Sequence, residues 1–331
     1  MYTHRVAVKY LVTGATGFLG SHLSLALAEQ GHQVVAMARS IVRAPSHDNI
    51  TAAKGDVLDA DALRALSDGC DGVFHCAGRV SRDPADSTLL WETHVVGTRR
   101  VLEAARAAGV KRVCYASTSG TIAISEDPDA VANEDSPAPL RYIERFAYYR
   151  SKLYAEYEAL EAAKGGLDVV IVNPSLLLGP GDAHGSSTGD VKKFLDGRIP
   201  MTPAGGMAFV DARDAAHAMI LAMQKGASGR RYLINASNCT LEDFFGRLSR
   251  LSGVRAPALK MMKGTTLARL GANLLGRAAK VIGAEAPVDA ESAEMGQLFW
   301  YCDSARAESE LGWRARDPME TLADTIADLR A

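Results

Sequence analysis

The sequence predicts an α/β protein built on a doubly wound parallel sheet, with a smaller, mainly helical lobe toward the C-terminus. Short β-branched runs alternate with Ala-rich helical stretches, which is typical of βαβ units. A glycine-rich turn directly follows the first apolar run and opens onto a segment rich in Leu and Ala. After Pro174 the chain becomes richer in Gly and Ser, which indicates loops and a change from sheet to lobe.

The predicted strands are short and rich in β-branched and other apolar residues. They are Ala7–Thr13, Gln33–Ala38, Gly72–Cys76, Arg112–Ala116 and Asp168–Val172. The predicted helices between them are Ser21–Gln30, Ala60–Ser67, Leu89–Ala108 and Ala147–Ala163, each ending near Gly or a charged turn. Lobe helices are predicted at Leu241–Ser252 and Met319–Arg330, and within the 260s and 270s. A ligand is expected at the carboxyl ends of the parallel strands.

The turn after the first strand reads Gly14-Ala15-Thr16-Gly17-Phe18-Leu19-Gly20. Glycines at this spacing let the backbone approach a pyrophosphate and let the following helix pack close to its strand. The positive end of the helix dipole and its free N–H groups then point at the phosphates. An ordinary glycine-rich turn gives the same letters, but the strand before it and the helix after it favour a dinucleotide site.

The end of the second strand carries a cation where an NAD site usually has an acid. Ala38 is followed by Arg39 and Ser40, with Arg43 close behind, and no Asp or Glu stands there. A carboxylate at this place holds the ribose 2′-OH of NAD, whereas a guanidinium suits a 2′-phosphate. The sequence therefore favours NADP(H) and leaves NAD(H) open, the alternative being that Arg39 is a solvated strand-end charge.

Tyr148 and Lys152 lie four residues apart in a helix-forming stretch and so share one face, with about 5–6 Å between their Cβ atoms. A free tyrosine titrates near about 10, and a close cation is expected to lower that pKa. A phenol of this kind can exchange a proton with a substrate oxygen. Such pairs also occur on many surface helices, so the pair gains meaning only from the other motifs.

In these motifs the chain resembles the extended short-chain dehydrogenase/reductase family, over nearly its whole length. The matching segments occur in family order. They are the glycine loop at 14–20, Asp56-Val57, His75-Cys76-Ala77-Gly78, Tyr115-Ala116-Ser117-Thr118-Ser119-Gly120, and Tyr148 with Lys152. Segments after Val172, including Asn173-Pro174-Ser175 and Phe209-Val210-Asp211, are similar to dihydroflavonol-4-reductase-like reductases and hopanoid-associated sugar epimerases.

The resemblance implies a role for each matching residue. Thr118 stands where the family has its catalytic Ser or Thr, with Ser117 as a second candidate, and Tyr148 and Lys152 complete the catalytic set. The implied cofactor-binding residues are Gly14, Thr16, Gly17, Phe18, Leu19, Gly20, Arg39, Asp56, Val57, Ala77, Gly78, Tyr148, Lys152, Pro174 and Ser175. In one place the chain departs from the family: His94 replaces an Asn. It is either a satisfied helix histidine, which we favour, or a substitute hydrogen-bonding group.

Composition excludes several classes of protein. The 331 residues carry 37 basic and 39 acidic side chains, so no global positive field predicts nucleic-acid binding. Five cysteines without close Cys-x-x-Cys spacing predict neither a disulfide framework nor a metal site. The first ten residues lack the apolar core of a signal peptide, and no apolar run reaches the length of a membrane span. A cytoplasmic protein is expected.

The expected organisation is a Rossmann dinucleotide-binding domain at 1–173 with a returning segment near 209–236. The substrate-binding lobe is expected at 174–208 and 237–331. Within it, Gly179–Gly189 is predicted as a mobile loop over the substrate. Residues 259–283 carry five basic and no acidic side chains, so contact with an anionic membrane is an alternative to a packing helix with a solvated basic face. Family resemblance also suggests a homodimer through Leu89–Ala108 and Ala147–Ala163.

The function that follows is hydride transfer between a dissociable NADP(H) and a small-molecule ketone, aldehyde or secondary alcohol. A redox-neutral epimerase would use the same Tyr and Lys, but it would retain NAD and bind a nucleotide sugar; the missing acid after the second strand argues against it. An NADP-sensing protein without enzymatic activity is a further alternative, and the intact Tyr148 and Lys152 disfavour it.

Overall fold

The computed structural model describes residues 7–261, 264 and 289–331. At its centre is a seven-stranded sheet in the order β10-β6-β5-β4-β1-β2-β3, with every neighbouring pair parallel. Its strands are β1 (Lys9–Thr13), β2 (Gln33–Ala38), β3 (Ile50–Lys54), β4 (Gly72–His75), β5 (Arg112–Ala116), β6 (Val169–Pro174) and β10 (Arg231–Ile234). Two apolar core clusters hold this sheet between its helices. The predicted α/β fold class is confirmed.

All five predicted strands are present, with ends that differ by two residues at most. Two strands of the sheet were not predicted, and both lie at its edges. In β3 the side chains of Thr51, Ala52 and Lys54 are exposed, so the segment lacks the apolar pattern of a buried strand. β10 has only four residues, and a run this short gives little periodicity to detect.

The four helices predicted around the sheet are present, one of them interrupted, and the helices at Leu140–Ile143, Gly189–Leu195 and Ala212–Lys225 were not predicted. The helices are α1 (Phe18–Glu29), α2 (Ala60–Ser67), α3 (Ser87–Trp91), α4 (Gly97–Ala107), α5 (Leu140–Ile143), α6 (Ala147–Lys164), α7 (Gly189–Leu195) and α8 (Ala212–Lys225). The helix predicted at Leu89–Ala108 is interrupted by a π-helical turn at Glu92–Val96. Such turns insert an extra residue into the helix and are frequent at functional sites. This one contains the buried side chain of His94.

The remaining elements lie beyond β6. A three-stranded sheet contains β7 (Leu176–Leu178), β9 (Gly206–Asp211) and β11 (Ser237–Thr240), and β8 (Met201–Thr202) pairs with β12 (Leu259–Lys260). The helices here are α9 (Leu241–Ser252), α10 (Ala290–Met295) and α11 (Pro318–Arg330). The prediction for α9 is confirmed, and α11 begins one residue earlier than predicted. Apolar side chains of α7, α9 and α11 form a separate core cluster.

An ion-pair network ties α11 to the end of β9. Arg213 donates hydrogen bonds to Asp211 at 2.7 Å and to Asp324 of α11 at 2.6 Å. Arg316 contacts Asp214 on α8 at 2.9 Å, which adds a second connection. The Asp211 side chain is fully buried, so these cations offset the cost of its desolvation. The network therefore fixes the C-terminal helix against the sheet system.

Two sequence predictions fall largely outside the described residues. These are the lobe helices in the 260s and 270s and the basic segment 259–283, of which only Leu259–Met261 and Gly264 are described. At its start, Lys260 pairs with Glu242 at 2.7 Å. Among the residues described, no helix has the length and apolar character needed to cross a membrane.

Candidate active site

The three glycines after β1 each meet a different steric demand. Gly14 has a φ of 70°, and a Cβ there would lie 2.6 Å from the backbone of Ala77. A Cβ on Gly20 would lie 2.3 Å from the carbonyl oxygen of Gly14. Gly17 is the N-cap of α1 and has no side chain with which to cap the helix. The first N–H groups of α1 therefore face the space above the loop, as a phosphate site requires.

The other residues of the loop, Thr16, Phe18 and Leu19, lie where β1 passes into α1, so all six predicted loop residues are at the carboxyl edge of the sheet. The Phe18 side chain is buried, and its ring packs edge-on against His22. The His22 ring in turn makes a 2.9 Å hydrogen bond with the carbonyl oxygen of Pro180. The first turn of α1 thus supports the segment that follows β7.

That segment, Gly179–Gly189, was predicted to be mobile. In the structure the carboxylate of Asp182 accepts hydrogen bonds from the backbone N–H groups of Ser187 and Thr188 at 2.8 and 2.9 Å. These contacts hold the pKa of Asp182 below its usual value, although its burial acts in the opposite direction. The segment is therefore internally organised around one buried carboxylate rather than free of internal contacts.

Arg39 lies immediately after β2 and is exposed, as is the neighbouring Ser40. Arg43 is also exposed and donates a long hydrogen bond, 3.4 Å, to the carbonyl oxygen of Ala183. These residues form the rim of the cleft on the side of β2. An exposed guanidinium is available to an incoming anionic group.

Asp56 and Val57 follow the edge strand β3. The Asp56 carboxylate accepts a hydrogen bond from the backbone N–H of Leu58 at 2.9 Å, which fixes the turn. The Val57 side chain is buried, and a Cβ on Gly97 would lie only 2.7 Å from it. The close approach of α4 at Gly97 holds Val57 in place.

The end of β4 lies between the glycine loop and α6. The backbone N–H of Ala77 donates to the Thr13 hydroxyl at 3.3 Å. A Cβ on Gly78 would lie 3.3 Å from His94 Nε2 and 3.8 Å from Lys152 Nζ. Ala77 and Gly78 therefore connect the cofactor loop with the predicted catalytic helix.

Pro174 and Ser175 occupy the equivalent place at the end of β6. Ser175 is buried, and its hydroxyl donates to the side-chain oxygen of Asn235 at 3.1 Å. Its backbone N–H donates to Ile234 of β10 at 2.9 Å. These bonds fix the turn between β6 and β7 at the carboxyl edge of the sheet.

The end of β5 is joined to α6 by side-chain hydrogen bonds. Lys152 donates to the carbonyl oxygen of Ala116 at 2.8 Å, and the Ser117 hydroxyl donates to Glu156, one turn further along α6. Thr118 comes next and is half-buried; its hydroxyl accepts a 3.3 Å bond from the N–H of Gly120. Because the Ser117 hydroxyl is engaged with Glu156, the geometry favours Thr118 of the two candidates.

Glu156 is fully buried and was not identified from the sequence. Its carboxylate accepts hydrogen bonds from Thr121 at 2.7 Å and Asn173 at 2.6 Å, besides that from Ser117. Arg231 lies 3.4 Å from its other oxygen. This is the full pairing that a buried carboxylate needs. An acid four residues after Lys152, on the same helix face, is the signal that could have indicated it.

Tyr148 lies in the first turn of α6, with its ring edge-on to those of His94 and Tyr149. The expectation that Lys152 lowers the pKa of Tyr148 is wrong in this structure. Burial raises the pKa of Tyr148, and the neighbouring Tyr149 adds to the effect. The Lys152 ammonium is directed instead to Ala116 and, at 3.4 Å, to the Tyr115 hydroxyl. Burial lowers the pKa of Lys152 to about 8.

His94 uses both ring nitrogens. Nε2 accepts the backbone N–H of Arg79 at 3.0 Å, so Nδ1 carries the proton and donates to the Ser151 hydroxyl at 2.8 Å. Ser151 in turn donates to the backbone carbonyl of Tyr148 at 2.8 Å. Burial and the nearby Lys152 hold the pKa of His94 well below its usual value. The favoured interpretation of a satisfied histidine is confirmed, and its bonds also join the β4 loop to α6.

On the open side of the site, the Tyr149 ring lies directly over Gly120, where a Cβ would be 2.2 Å from it. Tyr149 also packs against Trp300, with ring centroids 4.8 Å apart. Arg82 lies nearby and donates to Asp190 of α7 at 3.0 Å and to Ser292 of α10 at 3.1 Å. The sequence did not indicate these residues, because they come from distant segments and match no motif.

The geometry fits a bound dinucleotide on two independent observations. Side chains are excluded by the packing of Gly14 against Ala77 and of Gly20 against the Gly14 carbonyl, which leaves backbone N–H groups at the surface of the cradle. The helix above that cradle begins at Gly17 without a side-chain cap.

In the described ranges, no three His, Cys, Asp or Glu side chains are grouped as metal ligands. All five cysteines are free thiols.

Comparison with known proteins gives consistent matches. The model of the NAD dependent epimerase/dehydratase family matches residues 10–235. A protein of Synechocystis sp. named "Putative dihydroflavonol 4-reductase" is 34% identical over 96% of this chain and 93% of its own length. Sterol demethylase protein B of Methylococcus capsulatus is 33% identical over 97% of this chain and 98% of its own. The crystal structure of gox2253 superposes with a TM-score of 0.81 and 29% identity, covering 97% of each chain.

Proposed function

Because the chain belongs to the NAD-dependent epimerase/dehydratase family of extended short-chain dehydrogenases/reductases, we propose that it is an NADPH-dependent reductase of ketones or aldehydes. The family acts on alcohol and carbonyl groups with NAD(P). To this family membership the proposal adds the preference for NADPH, the reductive direction of the reaction, and the residues that carry it out. Residues 1–173 with 209–236 would bind the nucleotide, and 174–208 with 237–331 would bind the small-molecule substrate.

One observation carries the proposal: the loop after β4 joins the cradle to α6, because a Cβ on Gly14 would lie 2.6 Å from Ala77 and a Cβ on Gly78 would lie 3.8 Å from Lys152 Nζ. Thr118 directly follows β5 at this carboxyl edge of the sheet, and Tyr148 lies one helical turn before Lys152. Thr118 is fixed by the junction of β5 with α6, and Tyr148 by the first turn of α6 and by His94. This is the edge at which doubly wound sheets bind their ligands. Lys152 lies one helical turn beyond Tyr148 on α6, and its ammonium contacts the end of β5 at this edge of the sheet.

When bound, the reduced nicotinamide would supply hydride to the substrate carbonyl carbon, and the carbonyl oxygen would take the electron pair of the C=O π bond. Tyr148 donates the phenolic proton to that oxygen, giving the alcohol. Thr118 donates a hydrogen bond to the same oxygen and so stabilises the developing negative charge. Lys152 and Tyr148 would hold the ribose, as the family resemblance implies. The protein contributes orientation and charge.

The raised pKa of Tyr148 fits its proposed role as the proton donor in the reductive step. Burial keeps the phenol protonated at neutral pH, which is the form that donates a proton to an alkoxide. Oxidation of an alcohol would need the phenolate as base, and burial disfavours that charged form.

Two features of the rim support NADP(H). Arg39 is exposed directly after β2, where a 2′-phosphate would lie, and Arg43 follows four residues later. A guanidinium can bind phosphate through two parallel charge-assisted hydrogen bonds. Asp56, the acid after β3, is occupied by its own turn through the N–H of Leu58.

A homodimer is proposed through the outer faces of α3 and α6. Trp91, Tyr154 and Tyr157 are each between 39% and 45% exposed, and their rings pack in sequence, with centroids 5.1 and 5.8 Å apart. Clustered exposed aromatic side chains are typical of interaction surfaces. Analytical ultracentrifugation of the wild type and of Tyr154→Glu tests this homodimer. A monomeric wild type would contradict it.

The decisive experiment is to denature the purified protein, identify any released nucleotide and its stoichiometry, and titrate the nucleotide-free protein with NADPH and NADH. We expect little retained nucleotide and preferential NADPH binding. A panel of aliphatic and aromatic ketones and aldehydes then follows, with NADPH oxidation as the readout and Tyr148→Phe as the matched control.

Other outcomes would overturn the proposal. Near-stoichiometric NAD would favour the redox-neutral epimerase and contradict the use of Arg39 for a 2′-phosphate. Tight NADPH binding without turnover of any carbonyl or alcohol would favour the NADP-sensing alternative. In that case Tyr148→Phe would leave every measured property unchanged.

A further inference from the structure

Beneath the proposed nicotinamide site lies a chain of buried polar groups that the proposed mechanism does not use. It runs from Lys152 through Tyr115, Thr98 and His75 to Thr13. All five side chains are buried: Lys152 is 6% exposed, and each of the others is at most 1% exposed. Buried polar groups are costly unless they are hydrogen-bonded, so each contact in such a chain restricts its neighbours.

At one end the chain contacts the Lys152 ammonium. Nζ lies 3.4 Å from the Tyr115 hydroxyl, to which it donates, and 4.9 Å from the centroid of the Tyr115 ring. Its other partner is the carbonyl oxygen of Ala116 at 2.8 Å. Tyr115 therefore contacts Lys152 in two ways: its hydroxyl accepts a hydrogen bond from the ammonium, and its ring makes a cation–π contact with it.

Tyr115 is held by further groups on its own side. The side chains of Thr98 and Ser117 act on its hydroxyl and partly oppose the rise that burial causes in the pKa of Tyr115, and its ring stacks on His75 with centroids 5.4 Å apart. The Thr98 hydroxyl lies 3.0 Å from His75 Nε2. The phenol is thus fixed by β4, by β5 and by the start of α4.

At the other end the chain reaches the cofactor loop. His75 Nδ1 lies 2.7 Å from the Thr13 hydroxyl, which also accepts the backbone N–H of Ala77 at 3.3 Å. Thr13 directly precedes Gly14, the first glycine of the cradle. Burial and Lys152 lower the pKa of His75 to about 3, so the ring is neutral and can both donate and accept.

We infer that Tyr115 is a positioning residue that holds the Lys152 ammonium beneath the nucleotide, and that Thr98, His75 and Thr13 connect it to the glycine loop. This rests on the proposed function, since it assigns Lys152 to the nucleotide ribose. This positioning role requires the hydroxyl of Tyr115, because phenylalanine at this position would keep the ring but lose the acceptor for Lys152.

Five titratable groups from several elements face Lys152. They are Tyr115 on β5, His75 and Cys76 at the end of β4, His94 in the π-helical turn, and Glu156 on α6. Burial raises the pKa of Cys76 to about 12 and that of Tyr115 well above its usual value, whereas both histidines are shifted downward. We therefore expect nucleotide affinity to fall as pH rises through the pKa of Lys152, which burial lowers to about 8.

The sign of the expected change follows from the hydrogen bond. Tyr115 accepts from the charged form of Lys152, so it stabilises the ammonium against deprotonation. Tyr115→Phe removes that acceptor and lowers the pKa of Lys152. The affinity for NADPH then begins to fall at a lower pH than in the wild type, by about one pH unit, as expected for one lost hydrogen bond to a charged group.

The test measures the NADPH dissociation constant by fluorescence titration between about pH 6 and 10, because burial lowers the pKa of Lys152 from the ordinary lysine value to about 8. It needs no substrate and no turnover. Thr98→Val, which removes one support of the Tyr115 hydroxyl, is the second variant; we expect a smaller shift in the same direction. It also keeps the test informative if Tyr115→Phe does not fold.

Tyr232→Phe is the matched control. Tyr232 is fully buried on β10 of the same sheet, and its hydroxyl donates to Glu310 at 2.8 Å, away from Lys152. We expect it to lower the melting temperature without changing the pH at which NADPH affinity falls. An unchanged pH for this fall in both Tyr115→Phe and Thr98→Val, with NADPH still bound, would overturn the inference alone. Absence of NADPH binding by the wild type would instead overturn the proposed function.

Discussion

The floor of the cleft and its rim on the side of β2 are built on opposite principles. Under the floor, Lys152, Tyr115 and Glu156 are buried and hydrogen-bonded from several elements at once. At the rim, Arg39 and Arg43 are exposed after a single strand. Side chains on the floor have one available geometry, whereas those on the rim can adapt to a ligand.

This difference teaches where chemistry and selectivity are expected to reside. Proton transfer requires atoms held within hydrogen-bonding reach, which a buried and fully paired environment provides. Discrimination between NADPH and NADH requires only a charge near the 2′ position, and an exposed arginine supplies it at little cost in folding stability. Substitutions of Tyr148 and Thr118 should therefore change turnover, those of the buried groups around Lys152 should change the pH dependence of NADPH affinity, and those on the rim should change nucleotide preference.

The largest effect is expected for Tyr148→Phe. Loss of the proton donor should lower kcat by about 100-fold or more, with the NADPH dissociation constant nearly unchanged. Steady-state kinetics and fluorescence titration on the same preparation check both values. Turnover close to that of the wild type would remove Tyr148 from the mechanism and would break the assignment of chemistry to the floor.

Next is Thr118→Val, compared with Ser117→Ala on the adjacent residue. Loss of the hydrogen bond to the developing alkoxide should lower kcat by about 100-fold, the usual cost of one oxyanion donor. Ser117→Ala should leave kcat within about threefold but lower stability by about 1–3 kcal/mol, because Glu156 loses a partner. Kinetics with thermal denaturation separate the two. The reverse pattern would make Ser117 the catalytic hydroxyl.

A smaller and more selective effect is expected at the rim. Arg39→Ser should weaken NADPH binding by about 10- to 100-fold, because it removes charge-assisted hydrogen bonds to the 2′-phosphate. NADH binding should stay unchanged, and so should the melting temperature, since the side chain is exposed. Equal losses for both nucleotides would show that Arg39 does not read the 2′ position.

The smallest effect is expected from salt. Raising ionic strength from about 0.1 M to about 1 M shortens the Debye length from about 10 Å to about 3 Å and screens exposed charges. NADPH affinity should fall several-fold more than NADH affinity, and Arg39→Ser should abolish most of that difference. A salt response identical for the two nucleotides would place the 2′-phosphate contact away from the exposed rim.

Much of the catalytic region could be predicted because its motifs are local. The spacing of Gly14, Gly17 and Gly20 predicts the cradle, since the steric demand at each position arises within one turn. Tyr148 and Lys152 share a helix, so their common face follows from helical geometry alone. Contacts between distant segments could not be predicted this way: Arg82 meets Asp190 and Ser292 only after the chain has folded.

Two local predictions failed in the folded structure. The helix at Leu89–Ala108 is broken by a π-helical turn at Glu92–Val96, although its sequence has no Pro that would mark a break. The expected effect of Lys152 on Tyr148 is absent because the ammonium turns inward to Ala116 and Tyr115. For Lys152, partners on β5 outweigh the interaction with its neighbour on the same helix.

The sequence by itself determined the parallel sheet, the glycine cradle, the absence of an acid after β2, and the spacing of Tyr148 and Lys152. These properties follow from local sterics, periodicity and residue chemistry. Only the tertiary structure decided that the Ser117 hydroxyl binds Glu156, how His94 is hydrogen-bonded, and which groups surround Lys152. Burial and hydrogen bonds from separate strands and helices set those properties, because they depend on distances that the folded chain alone creates.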